Sequence, residues 1–201
     1  MRYMKILGLA AIAAMALAAF LGAGTASASC LKRFGHSTCL PVGESISASL
    51  EAGNSAVLED AFGITGTTCS ESSVAGTLSR VTPAGSPTGI ISVLSFTGCP
   101  HTVHVISKGQ LEIRNIAGTT NGTVFSENAE VQVFSTILGM SCIAKTGVST
   151  DIGKLTGATA TSSMATIDIE GTIPLSGCSA ASAKWTAKYW VTSPPGLVSE
   201  P

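Results

Sequence analysis

The chain has 201 residues, a formal net charge of −1 and only 11% charged residues. So few Lys and Arg side chains leave no electrostatic footprint for nucleic acid and no polybasic patch for anionic lipid. The length is one domain's worth, enough for a substantial core.

The N-terminus reads as an export signal. Arg2 and Lys5 precede an apolar run from Ile6 to Leu21, and small residues then lead to Ala26-Ser27-Ala28. A positive n-region, an apolar h-region and an A-x-A site in that order predict a cleavable signal helix, cut between Ala28 and Ser29. The apolar run is shorter than the ~20 residues of a spanning helix, so no membrane span is expected in the mature form. Residues 1–28 are thus the signal, 29–193 a single disulfide-linked domain, and 194–201 a flexible Ser/Pro-rich tail. Without Arg2 and Lys5, nine basic and twelve acidic residues remain, a formal charge of −3. A lipid-anchored form acylated at Cys30 is an alternative, although Ser27 stands where a lipobox has a Leu-like residue.

Along the mature chain, apolar residues alternate with polar ones at period two. Ile46, Ala48 and Leu50 alternate with serines; Leu111 and Ile113 with Glu112 and Arg114; Ile167 and Ile169 with Thr166, Asp168 and Glu170. Trp185, Ala187, Tyr189 and Val191 share one side of the last run, with Lys184, Thr186 and Lys188 on the other. Turn chemistry separates the runs at Ala52-Gly53-Asn54, at the Pro/Gly/Ser loop of 82–87, at Lys108-Gly109 and at Asn121-Gly122, the last a hairpin signal of type I′. Ten to twelve short strands at this spacing predict an all-β fold, an antiparallel β-sandwich of Ig-like or jelly-roll-like form.

Six cysteines in an exported chain read as disulfides, and six allow 15 connectivities. A faint internal repeat suggests a grouping. The segment from Cys69 ends in Phe96-Thr97-Gly98-Cys99, and the segment from Cys142 ends in Leu175-Ser176-Gly177-Cys178. Two related halves would each carry one bridge, Cys69–Cys99 and Cys142–Cys178, leaving Cys30–Cys39 as a local pair. No pair has CxxC spacing, so a metal site is not expected.

The Ala26-Ser27-Ala28 signal end, the stretch Glu44–Leu58, the segment Gly109–Val124 and the segment Ser182–Pro194 resemble an uncharacterised family of secreted, four-cysteine all-β proteins. Such proteins occur as multiple paralogues in soil actinobacteria. The resemblance covers most of the chain and implies an exported β-domain, with cysteines matching Cys69, Cys99, Cys142 and Cys178 as the usual four. Cys30 and Cys39, with Leu31-Lys32-Arg33-Phe34, look like an addition. It implies no activity or site.

Catalytic parts are sparse. The nucleophile-elbow pattern G-x-S-x-G does not occur, nor does an EF-hand loop, a P-loop or a dinucleotide fingerprint, so no cofactor is expected. His101 and His104 are three apart and would point to opposite faces of a strand. Asp168 with Glu170, and Glu127 with Glu130, read as solvent-facing acids. Trp190 follows Tyr189 and so faces away from Trp185. Either a second layer or the tail with Leu197 and Val198 covers it, or it is exposed beside Lys184 and Lys188 as a candidate binding surface. The reading is a secreted or surface-associated β-domain with a structural or binding role toward a cell-wall or extracellular polymer. An extracellular hydrolase with a dispersed site, using His101 or His104 beside a carboxylate, is an alternative.

Overall fold

The computed structural model describes residues 29–60, 66–80, 85–135 and 140–201; the signal segment, with Ala28, and part of the 82–87 loop lie outside the described residues. The described chain is all strand and turn. In order the strands are β1 (Cys30–Arg33), β2 (Ser45–Leu50), β3 (Ala56–Asp60), β4 (Thr67–Cys69), β5 (Glu71–Arg80), β6 (Thr88–Thr97), β7 (Thr102–Ser107) and β8 (Gln110–Asn115). They continue with β9 (Gly122–Glu127), β10 (Glu130–Ser135), β11 (Met140–Lys145), β12 (Thr150–Thr156), β13 (Thr166–Ser176), β14 (Ser182–Ser193) and β15 (Leu197–Glu200). Period-two patterning accounts for them. In β13, Ile167, Ile169 and Ile173 are buried while Glu170 and Thr172 are exposed; in β14, Ala183, Ala187, Tyr189 and Val191 are buried while Lys184 and Thr192 are exposed.

The strands do not form the expected sandwich. Eight of them close into an antiparallel ring in the order β14, β2, β5, β6, β8, β9, β12, β13, and the pairing of β13 with β14 completes it. Alternation reports only that one face of each strand is buried, which a sandwich and a barrel share. Long-range pairing decides between them. Leu78, Val124, Ile152, Leu155 and Val191 fill the interior almost free of solvent. The outer wall carries hydroxyls such as Ser47, Ser73, Ser95 and Thr192. Among the described residues no helix is long and apolar enough to cross a membrane.

The pairings repeat. β2 to β6 are matched in order by β9 to β13: β2 pairs β5 as β9 pairs β12, β3 pairs β4 as β10 pairs β11, and β5 pairs β6 as β12 pairs β13. The run β7–β8, interrupted at Lys108-Gly109, matches the unbroken β14. Each half lends this last strand to the other: β14 pairs β2 and β3, while β8 pairs β9 and β7 pairs β10. The halves are therefore interlocked, and neither closes a core alone. The three disulfides are Cys30–Cys39, Cys69–Cys99 and Cys142–Cys178, the grouping that the sequence repeat suggests. Gly98 and Gly177, which precede the second cysteine of each half, both take positive φ (63° and 79°), so the shared Gly-Cys ending marks the same turn twice.

Above the ring the barrel continues as a second storey of β3, β4, β7, β10 and β11 with the far ends of β13 and β14. Interruptions between strands at Gly109, Asn128 and Gly147 form a waist between the storeys. There Ser107 donates to the Asn128 carbonyl, the Asn128 N–H donates to the Gly147 carbonyl, and the Ala129 N–H donates to Thr146 Oγ1.

Two local expectations change. Residues 194–201 are not a flexible tail: Leu197–Glu200 is β15, paired antiparallel with β1, and Leu197, Val198 and Ser199 are buried. This two-stranded piece, pinned by Cys30–Cys39, brings Leu31 and Leu197 to a cavity at the lower end of the ring. The β8–β9 hairpin is present, but its turn lies at Ala117-Gly118, with Gly118 at φ +75°, while Gly122 opens β9. A side chain at 122 would press on Ile113 Cγ2 at 2.6 Å, so packing across the hairpin, not turn geometry, requires that glycine.

Candidate functional site

The outer wall bears two surfaces of interest. The first holds the residues singled out from sequence. Trp190 faces outward from β14, half-buried, with Ser49 opposite on one side and Thr166 on the other. Lys188 and Lys184 share that face. Lys188 lies opposite Asp168 and its Nζ sits 3.5 Å from Glu51, so its charge is already partnered; Lys184 is exposed opposite Glu59. Leu197 and Val198, which could have covered Trp190, instead belong to β15.

The second surface was not legible as a site. Residues two apart on a strand share a face, so Gln110, Glu112 and Arg114 of β8 point outward beside Phe125 and Glu127 of β9. Glu112 stands directly opposite Phe125, and Gln110 opposite Glu127. Arg114 donates from Nε to Glu112 Oε1 (2.9 Å) and from Nη2 to Glu112 Oε2 (2.8 Å), a bidentate pair. The same Nη2 donates to Ser149 Oγ at 2.9 Å, and the guanidinium carbon lies 3.8 Å from the centre of the Phe125 ring. The outer face of the β8–β9 hairpin thus holds an arginine–phenylalanine stack whose guanidinium is held by Glu112 and Ser149. Beside it opens a cleft of 340 Å³ walled by Arg80, Ser86, Thr88, Gln110, Phe125 and Glu127. The hydrogen bonds from Arg114 hold the Glu112 carboxyl below the usual carboxylate range against the opposing effect of burial, and the same bonds raise the Arg114 guanidinium.

The acids of the cleft are poorly set for hydrolysis. A carboxylate pair needs one member kept protonated near neutrality, and Glu112 is pushed the other way. His101 and His104 do not wall the cleft. His104 is exposed opposite Gln132, and His101 is half-buried before β7. Asp168 lies between Lys154 and Lys188, Glu170 is exposed, and Glu130 pairs with Lys145 at 3.1 Å. Glu127, read from sequence as an ordinary surface acid, is part of the cleft wall. Among the described residues no group of three or more His, Cys, Asp or Glu is placed to hold a metal ion. The sequence signal for the cleft was the Glu112/Arg114 alternation beside a hairpin turn; its partner Phe125 carries no local mark. Compared with known proteins, the chain matches no family model, no curated protein and no solved structure.

Proposed function

We propose that this chain is an exported, non-catalytic binding domain that takes a hydroxyl-rich extracellular or cell-wall polymer along the cleft beside Phe125. The observation that carries the reading is the fixed Arg114–Phe125 plane at a polar cleft. A flat apolar surface beside side chains that donate and accept hydrogen bonds suits a ligand with alternating C–H faces and hydroxyls. Trp190, half-buried on the outer wall between Ser49 and Thr166, is a second outward-facing aromatic. Three disulfides suit an oxidising compartment, and the signal-like N-terminus and the resemblance to secreted four-cysteine proteins support export. Cys30 is bonded to Cys39, so its sulfur is not free to carry a lipid, which favours release or polymer retention over lipid anchorage.

The test is sedimentation of disulfide-intact protein (residues 29–201) with intact cell walls and with purified insoluble polysaccharides. Retention above a control secreted protein is expected, with affinity falling about tenfold in Phe125→Ala, the loss of about 1.4 kcal/mol of stacking. Retention no better than the control, or unchanged by Phe125→Ala, overturns the reading.

A further inference from the structure

The packing of the barrel interior leaves small voids. An apolar cavity of 50 Å³ occupies the upper storey, against Phe96, Val103, Val133, Ala144 and Trp185. Below it lies a cavity of 40 Å³ that shares Leu94, Ala129 and Trp185 with the first, and then one of 70 Å³ that shares Val74, Ile91, Leu111 and Ile167 with the second. They follow one another down the barrel.

Two threonines interrupt the apolar wall of the upper cavity, Thr67 and Thr146. Thr67 on β4 is 6% exposed, and its Oγ1 has no hydrogen-bond partner among the described residues. The other hydroxyl in that wall, Thr146 Oγ1, is engaged by Ser126 and by the Ala129 N–H. A water at Thr67 would lie against a largely apolar wall, whereas a stable buried water needs two to four polar partners. An aliphatic molecule with a single polar end satisfies both the hydroxyl and the wall. Among the described residues no Lys, Arg or His lines the cavity, so a carboxylate would be buried unpaired at high cost, and a neutral head group is required.

The two halves also differ at one seam, and the seam leads to this cavity. In the second half β13 pairs β14 continuously, from Thr166–Trp190 to Pro174–Ser182. In the first half β6 pairs β8 only over Thr88–Ile90, while β7 leaves it to pair β10. Leu94 and Phe96 of β6 and Val103 of β7 stand on the two sides of the parting and line the cavity. Val93 and Ile106, on the outer surface of the same two strands, are 43% and 48% exposed, an apolar rim.

We propose that the upper cavity, reached between β6 and β7 and continuous with the two cavities below it, binds a neutral aliphatic alcohol whose hydroxyl bonds to Thr67 Oγ1. The site is separate from the outer cleft and does not depend on it.

The probe is 1-hexanol, with hexanoate at neutral pH as its charged counterpart. Trp190→Phe leaves Trp185, in the cavity wall, as the one tryptophan of the chain. Titration of disulfide-intact protein is expected to give a saturable change in Trp185 fluorescence with 1-hexanol and none with hexanoate. Thr67→Val, nearly isosteric, is expected to weaken 1-hexanol at least fivefold, and Ala144→Phe, which fills the cavity, to abolish the response. Should Ala144→Phe not fold, the Thr67→Val comparison decides alone. No saturable response to 1-hexanol, an equal response to hexanoate, or an unchanged affinity in Thr67→Val overturns the proposal.

Discussion

The hydroxyls of Ser72 and Tyr189 meet at 2.8 Å inside the barrel, joining β5 to β14 across the intervening β2. Ser72 Oγ also donates to the Ser95 carbonyl at 2.9 Å. A serine hydroxyl has one proton, so Tyr189 is the donor in the pair and must keep its own. Burial raises the phenol to about 12 from 10.0, with the Ser72 bond opposing in part.

Tyr189 is the single tyrosine of residues 29–201, so ultraviolet titration reads it directly. Ionisation near 12, not 10, is expected. The folded value lies above the unfolded one, so the stability that the phenol contributes is intact below about pH 10 and is lost as pH rises from 10 toward 12. Tyr189→Phe should cost about 0.5–1.5 kcal/mol at neutral pH and remove that alkaline loss from denaturation curves. An ordinary titration near 10 would show that the phenol is solvated.

Thr67→Val should behave oppositely to most core substitutions. Enclosing a hydroxyl without a partner costs about 1–3 kcal/mol, and valine removes the hydroxyl while keeping the shape. Ligand-free protein carrying the substitution is expected to gain about 1 kcal/mol in urea denaturation. A loss of stability would mean that the hydroxyl is paired in solution.

Glu112 ties the cleft to acid. Its folded pKa lies below its unfolded value because of the Arg114 hydrogen bonds. The pair's contribution is therefore present above the unfolded carboxyl value and is lost as pH falls through the depressed folded value. NMR titration of the carboxyl carbon should place Glu112 below other surface glutamates, and Arg114→Ala should return it upward. Polymer retention should fall in the same acid range and in Arg114→Ala, with little change in overall stability, as expected of a surface pair.

Gly109 and Gly118 separate backbone strain from crowding. Both take positive φ, +67° and +75°. Around Gly118 there is open space, whereas a Cβ at 109 would run into the Glu127 carbonyl oxygen and come within 2.6 Å of the Ala129 nitrogen. Gly118→Ala should cost about 1 kcal/mol, the left-handed penalty alone. Gly109→Ala should cost about 3 kcal/mol or more, because the waist must also open. Equal costs in thermal denaturation would mean that the waist yields freely.

Local residues were enough to predict strands wherever one face is buried. The alternation at Ile46–Leu50, Leu111–Arg114, Thr166–Glu170 and Lys184–Val191 maps onto β2, β8, β13 and β14, because period two is a property of the extended chain itself. The matching Gly-Cys endings of the two halves likewise pointed to Cys69–Cys99 and Cys142–Cys178, since the same turn recurs in each. The outward placement of Trp190 followed from its neighbour Tyr189 being inward. What local pattern could not carry was which edges meet. Closure through β13 and β14, the exchange of β14 for β7–β8 between halves, and the seating of Leu197–Glu200 against β1 all depend on hydrogen bonds between residues far apart in the chain. The cleft depends on them too, because Phe125 is an ordinary strand residue until hairpin register sets it opposite Glu112 and under Arg114. So do the cavity and Thr67, whose hydroxyl has no partner among the described residues, because a void is the space left between strands, and its walls are drawn from eight of them.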